Sequence, residues 1–281
     1  MVVPRAHLDH AEQILAAGAR SVSIFRHPGV EDEWRLEVLY DHAPPIGDLA
    51  RRLAREIPHV AGEFLPVERI DWVKRVQAEL KTVAAGRFYL HGGHDRPHPA
   101  PNRISLRIEA GAAFGSGHHE TTRGSLLAID HAARRRRIAT ALDVGAGSGV
   151  LALALARAAK ARVLAVDIDP MAVTVTRDNA RLNGLGPWIR ARRADGARLG
   201  PICGGRRFDL VAANILARPL IDLAPVLARR VAPGGMLVLS GLLGAQQQAV
   251  RAAYRRHGLI LAHRFVLGDW PTLCLKRQTR A

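Results

Sequence analysis

The 281-residue sequence is poor in cysteine, aromatic residues, lysine and long apolar runs, and each scarcity argues against a class of protein. Only two cysteines occur, Cys203 and Cys274, far apart and without ligand-like spacing. A disulfide-stapled secreted scaffold is thereby disfavoured, and two buried thiols in a reducing cytoplasm are expected. No stretch of about 18 consecutive apolar residues is present, so no membrane span is expected. The opening "MVVPRAHLDHAEQILAAGARSV" has no continuous apolar core ahead of a cleavage site, so no secretory leader is expected either. Aromatics make up 5% of the chain, too few for an obvious base-stacking platform.

Charge is abundant but lopsided. The formal net charge is +16, yet residues 1–80 hold 10 Lys+Arg against 13 Asp+Glu. All the positive excess therefore lies beyond residue 80. Only Lys74, Lys81, Lys160 and Lys276 are lysines among 41 basic residues. Arginine and alanine in excess are what a GC-rich genome writes, and a selected basic surface that contacts nucleic acid is the other reading. The acidic front end runs against the bias.

The pattern of apolar residues divides the chain. Residues 1–70 read as a small α+β unit with two helices on one face of a sheet, ferredoxin-like in order. Residues 71–100 read as a linker: an amphipathic helix runs into a strand, then a Pro- and His-rich loop follows. Residues 101–281 read as a doubly wound α/β domain. Its strands are "TALDVGAG", "RVLAVDID", "IRARRAD", "FDLVAANI" and "MLVLSGL", with helices between them, one of them spanning "PLIDLAPVLARRV". Mostly apolar strands alternating with helices indicate a parallel sheet buried on both faces. "LILAHRFVLGDWPTLCLKR" has two strand patterns with no helix between, a hairpin closing one edge.

"LDVGAGSGVLALALA" carries the chemistry. Asp143, Gly145, Gly147 and Gly149 form D-x-G-x-G-x-G where the first strand ends and a helix begins. Glycines permit a sharp turn and close approach of the backbone to a ligand. A dinucleotide loop spaces its glycines G-x-G-x-x-G to seat pyrophosphate on the helix N-terminus. Here the third glycine comes one residue early, which suits a ligand without phosphates, S-adenosyl-L-methionine. Asp167 ends the second strand, where a carboxylate accepts hydrogen bonds from ribose hydroxyls. Asp169, just ahead of Pro170, reads as a helix cap. Asp195 ends the third strand and is assigned to the adenine edge, or merely to strand termination. Asn214 ends the fourth and is assigned to the reacting centre, where it would orient an amine.

On these residues the chain resembles the methyltransferases of large-subunit ribosomal protein L11 (PrmA type). The likeness spans about residues 60–276 and is carried by "AFGSGHHETT", the glycine loop, "VDIDPMAV", "DNARLNG", "VAANILARPLIDLAP" and "PGGMLVLSGLL". The family's loop reads Phe-Gly-Thr-Gly-Thr-His-Pro-Thr-Thr. This chain keeps its glycines, His119 and both threonines, with Ser116, His118 and Glu120 replacing Thr, Thr and Pro. The resemblance implies that this loop, with Phe114, Gly115 and Thr122, folds over the methionine end of the cofactor. It also implies that a mobile ferredoxin-like domain grips L11, free or in the ribosomal subunit, and that lysine ε-amines and an N-terminal α-amine are methylated. A monomer is expected.

Two other readings were open. His118 and His119 are adjacent and lack a third ligand at typical spacing, so no metal is expected there. An RNA methyltransferase would use the basic surface and "RRRR" at 134–137, but Asn214 is followed by Ile-Leu-Ala rather than by an aromatic that stacks on a base.

Overall fold

The structure, a computed structural model, describes residues 1–16, 18–19, 21–26, 32–57, 63–64, 82–93, 102–109, 120–195 and 199–277. It divides into two compact units, Met1–Ile70 and Asp71–Ala281.

In the first unit, β1 (Val2–Pro4), α1 (Leu8–Ala16), β2 (Ser21–Arg26), β3 (Glu33–Leu39) and α2 (Ile46–Glu56) follow in order. The sheet runs β1-β3-β2, antiparallel throughout. Leu49 and Leu53, one turn apart on α2, join Leu8, Ala11 and Ile14 of α1 and Leu36 of β3 in one core. The β-like segment expected around "GEFLPVERI" lies almost wholly outside the described residues, as does the helix expected at 71–81.

The second unit begins with a small sheet of β4 (Val83–Ala85), β5 (Phe88–His91) and β6 (Ile104–Arg107). The sequence suggested a single strand where β4 and β5 in fact form a hairpin. The turn is Gly86 at φ 58, where a Cβ would stand 2.7 Å from Asp130 Oδ2. Arg87 donates to Asp130 from Nε at 2.6 Å, which pins the hairpin to helix α3 (Glu120–Arg135).

The main sheet contains β7 (Thr140–Val144), β8 (Arg162–Asp167), β9 (Ile189–Arg193), β10 (Phe208–Asn214), β11 (Val231–Ser240), β12 (Leu259–Leu267) and β13 (Trp270–Arg277). Its order is β12-β13-β11-β10-β7-β8-β9. The first five of these strands in sequence are parallel, and β12 and β13 are the antiparallel hairpin at one edge. This is the Rossmann-like doubly wound sheet expected from the sequence. Adjacent residues feed opposite cores: Ala141 packs in one apolar cluster and Leu142 in the other. Helices α3, α4 (Val150–Ala159) and α5 (Pro170–Leu182) cover the first face. The second is covered by α6 (Leu199–Cys203), α7 (Ala217–Asp222), α8 (Ala224–Arg230) and α9 (Gln247–Arg255).

The single helix expected over "PLIDLAPVLARRV" is two, α7 and α8, divided at Leu223. Pro225 supplies no N–H to continue the first helix and sits comfortably in the first turn of the second. Among the described residues, no helix is long and apolar enough to cross a membrane.

Candidate active site

The chain passes from β9 across the sheet to β10, so strand order reverses between β7 and β10. Ligands of open α/β sheets bind at such a point, off the carboxyl ends of the strands. A cavity of about 680 Å³ opens there. Thr122, Gly145, Gly147, Asp167, Asp195 and Asn214 all line it. Phe114 and Gly115 lie outside the described residues, as do His118 and His119.

Gly149 is not among the lining residues. It stands at the N-cap of α4 with φ 84, and a Cβ there would come within 3.0 Å of Thr176 Cγ2. Its bareness lets α5 approach the loop. Gly145 has φ 72, and a Cβ on it would collide with Ile215. There the missing side chain keeps the cavity wall open.

The loop is held by its neighbours. Asp167 accepts from Gly147 N–H at 2.9 Å with Oδ2 and from Asp169 N–H at 3.0 Å with Oδ1. Each oxygen keeps a further acceptor site. Asp169 caps α5 by accepting from Met171 N–H at 2.8 Å, as its place before Pro170 suggested. Thr176 Oγ1 donates to Gly147 O at 2.9 Å, and Asn179 Nδ2 donates to Ser148 O at 2.8 Å.

The "DNARLNG" stretch has a structural logic of its own. Asn183 accepts from Arg107 N–H and donates to Arg107 O, at 2.9 and 2.7 Å. Asn179 does the same for Glu109, at 2.9 and 3.2 Å. The two amides stand in for a neighbouring strand and lay the chain after β6 along α5. Asn179 is fully buried. Replacing it with Ala strands the Glu109 and Ser148 backbone groups, and the Asn179→Ala variant is expected to lose about 2 kcal/mol or more in a urea titration. An unchanged midpoint would show these bonds to be dispensable.

Thr122 and Asn214, 92 residues apart, meet through Asn214 Nδ2 donating to Thr122 Oγ1 at 3.3 Å. Behind them Ser240, paired with Asn214 across β10 and β11, donates to Thr121 O at 3.0 Å and contacts Thr272 Oγ1 at 3.0 Å. This buried polar cluster fixes the first turn of α3 over the strand ends. Ser240 and Thr272 were not legible as site residues, because the register of β11 and β13 alone brings them there.

Sequence reasoning also missed the part played by Asp143. Its carboxyl is buried, with Oδ2 accepting from Ala152 N–H at 2.9 Å and Oδ1 lacking a partner. It thus serves the first turn of α4, whose N-cap is a glycine with no side chain to offer. Burial pushes its pKa up to about 7; the Ala152 N–H opposes this and the charge on Asp167 adds to it.

Among the described residues lining the cavity, Asp167 and Asp195 are the ionisable ones. Carboxylates there suit a cationic ligand bearing hydroxyls. Val144, Ile168, Ala194 and Leu199 give one side an apolar surface that fits a flat heterocycle, and Gly145 leaves room for a ligand against the backbone. These residues fit S-adenosylmethionine.

Sheet order, terminal hairpin and site position together define a class I methyltransferase fold. The family model described as "Ribosomal protein L11 methyltransferase (PrmA)" matches residues 12–278. A ribosomal protein L11 methyltransferase of Bradyrhizobium diazoefficiens is 42% identical over 97% of this chain and 93% of its own length. One from Rhizobium etli is 47% identical over 74% of this chain and 71% of its own. The crystal structure of a ribosomal protein L11 methylase from Lactobacillus delbrueckii subsp. bulgaricus superposes with a TM-score of 0.62 at 28% identity, covering 70% of this chain and 98% of that one. The chain belongs to the ribosomal protein L11 methyltransferase (PrmA) family.

Proposed function

We propose that this chain transfers methyl groups from S-adenosylmethionine to amine nitrogens of ribosomal protein L11, both lysine ε-amines and the N-terminal α-amine. The observation that carries this is the cavity at the switch point, with the carboxylates of Asp167 and Asp195 on its wall and Asn214 at the end of β10. Bound there, S-adenosylmethionine supplies a sulfonium methyl group open to nucleophilic attack.

The chain's own residues do the rest. Asp167, with an acceptor site left on each oxygen, receives the ribose hydroxyls, and Asp195 the adenine edge. Gly145 and Gly147 admit the amino-acid end to the backbone, with Thr122, Phe114 and Gly115 on the lid side. Asn214 commits its Nδ2 to Thr122, which leaves Oδ1 to accept an N–H of the incoming amine and aim its lone pair. Ile215, Leu216 and Trp270 give the approach an apolar lining. That surrounding disfavours the ammonium form, so the amine sheds its proton before attack and no strong base is required.

In this role the chain works in the cytoplasm as a monomer, on L11 free or in the large subunit. Residues 1–70 grip the substrate and 101–281 carry out the transfer; of 71–100, read from the sequence as a linker, β4 and β5 pack with the transfer unit. The acidic balance of residues 1–80 suits a basic ribosomal protein. Peptide mapping of L11 after incubation with enzyme and S-adenosylmethionine tests the choice of atom. Methyl groups are expected on lysine and the amino terminus; methyl esters or methylated amides instead would overturn it.

A further inference from the structure

Edge strand β9 departs from the rest of the sheet. Its central residues alternate, with Ile189 and Ala191 buried and Arg190, Arg192 and Arg193 exposed. Ile189 and Ala191 face the α5 side, so Arg190 and Arg192 lie on the opposite face of the strand, where both are exposed. More cations surround this edge. Arg177 of α5 donates to Ala191 O at 3.1 Å, and Arg193 to Ile168 O at 3.1 Å. Arg162, at the start of β8, lies 6.0 Å over the ring of Trp188, which is 38% exposed at the start of β9. Lys160 stands two residues before Arg162, exposed.

Charge at a free edge guards against strand pairing, and either sign does that. Two observations go further. No acidic residue lies within β9, and Asp178 of α5 is already paired with Arg181. Among the described residues, moreover, no hydrogen bond or ion pair engages the side chains of Arg190, Arg192 or Lys160. In the acidic first unit, by contrast, Arg35, Arg51, Arg52 and Arg55 are all spent on carboxylates. Codon bias adds arginines everywhere; what marks this edge is an exposed indole beside the unpaired ones.

We infer that the β9 edge is a contact surface for a single nucleic-acid strand, with Arg190, Arg192 and Lys160 meeting phosphates and Trp188 stacking on a base. Unpaired cations on a strand set at about 3.3 Å per residue follow an extended phosphate backbone. An aromatic face beside them is what holds an unpaired base. Arg190 and Arg192 are not among the residues lining the cavity, so this surface is separate from the methyl-transfer site.

The test is fluorescence anisotropy with a labelled single-stranded RNA of mixed sequence across a potassium chloride series, on the full chain. A matching DNA strand and poly-glutamate run in parallel. Each lost phosphate contact lowers the salt slope by about 0.7 for a single strand. The Arg190→Glu, Arg192→Glu double variant is expected to bind tenfold or more weakly, with a slope smaller by about 1.4. Trp188→Ala is expected to weaken binding about fivefold or more with the slope unchanged. A control double variant, Arg255→Glu with Arg256→Glu beside the opposite edge, makes the same charge change and is expected to lose little. Calorimetric S-adenosylmethionine binding by the β9 variant should match that of the parent, which shows its fold intact. Equal losses in the two double variants, poly-glutamate binding as tight as either strand, or no binding of either strand would each overturn the assignment. Relative affinity for the RNA and DNA strands identifies which nucleic acid the surface fits.

Discussion

The Asp167→Ala variant is expected to lose S-adenosylmethionine affinity by about a hundredfold or more while remaining folded. The carboxylate has two tasks. It draws Gly147 N–H and Asp169 N–H toward itself, which shapes the glycine loop, and it offers its remaining acceptor sites to the ribose. A hydrogen bond to a charged group contributes about 1.5–3 kcal/mol. Losing two therefore amounts to about 3 kcal/mol or more, and every 1.4 kcal/mol is tenfold in affinity. Asp167→Asn keeps the shape and one acceptor and should lose about tenfold. Calorimetry measures both. Parent-like affinity in Asp167→Ala would remove Asp167 from the cofactor site.

The pH dependence of stability should carry a visible contribution from Asp143. Burial pushes its carboxyl up to about 7 in the folded chain from an ordinary 3.8. The folded state thus holds the proton more tightly, so the group's contribution to stability is fully present below 3.8 and is lost as pH rises through 7. At 1.36 kcal/mol per pH unit the loss is on the order of 4 kcal/mol. Asp143→Asn retains an acceptor for Ala152 N–H and cannot ionise. Urea midpoints of parent and variant across pH 4–8 should shift in the variant's favour by a few kcal/mol as pH rises. A difference that stays constant across that range would mean that Asp143 does not titrate there.

Sequence alone revealed the sheet and a few of the residues that line the cavity, for a physical reason in each case. Strands such as "TALDV" and "FDLVAAN" must be apolar because helices cover both faces, and this pattern is local. Gly145, Gly147 and Asp167 are likewise found by spacing, since the loop and the next strand end follow each other in the chain. Thr121, Ser240 and Thr272 are not, because they meet only through the register of β11 and β13. Nor did local pattern reveal that Asn179 and Asn183 act as a substitute strand for Glu109 and Arg107. The division of α7 from α8 was signalled by Pro225 and overlooked because the apolar spacing runs on through it. Gly149 was grouped with the cofactor glycines on spacing, whereas its contact with Thr176 shows close helix packing. The arginines of β9 were visible as charge, but only the uncovered face of the edge strand gives them a common direction.

The central claim is that the cavity at the switch point serves methyl transfer to ribosomal protein L11. Intact-mass measurement of purified large-subunit proteins after incubation with the enzyme and S-adenosylmethionine tests it most directly. The account predicts mass increments of whole methylene units on L11 alone, absent with the Asp167→Ala variant. Unshifted L11 while label from the methyl donor enters ribosomal RNA would contradict it.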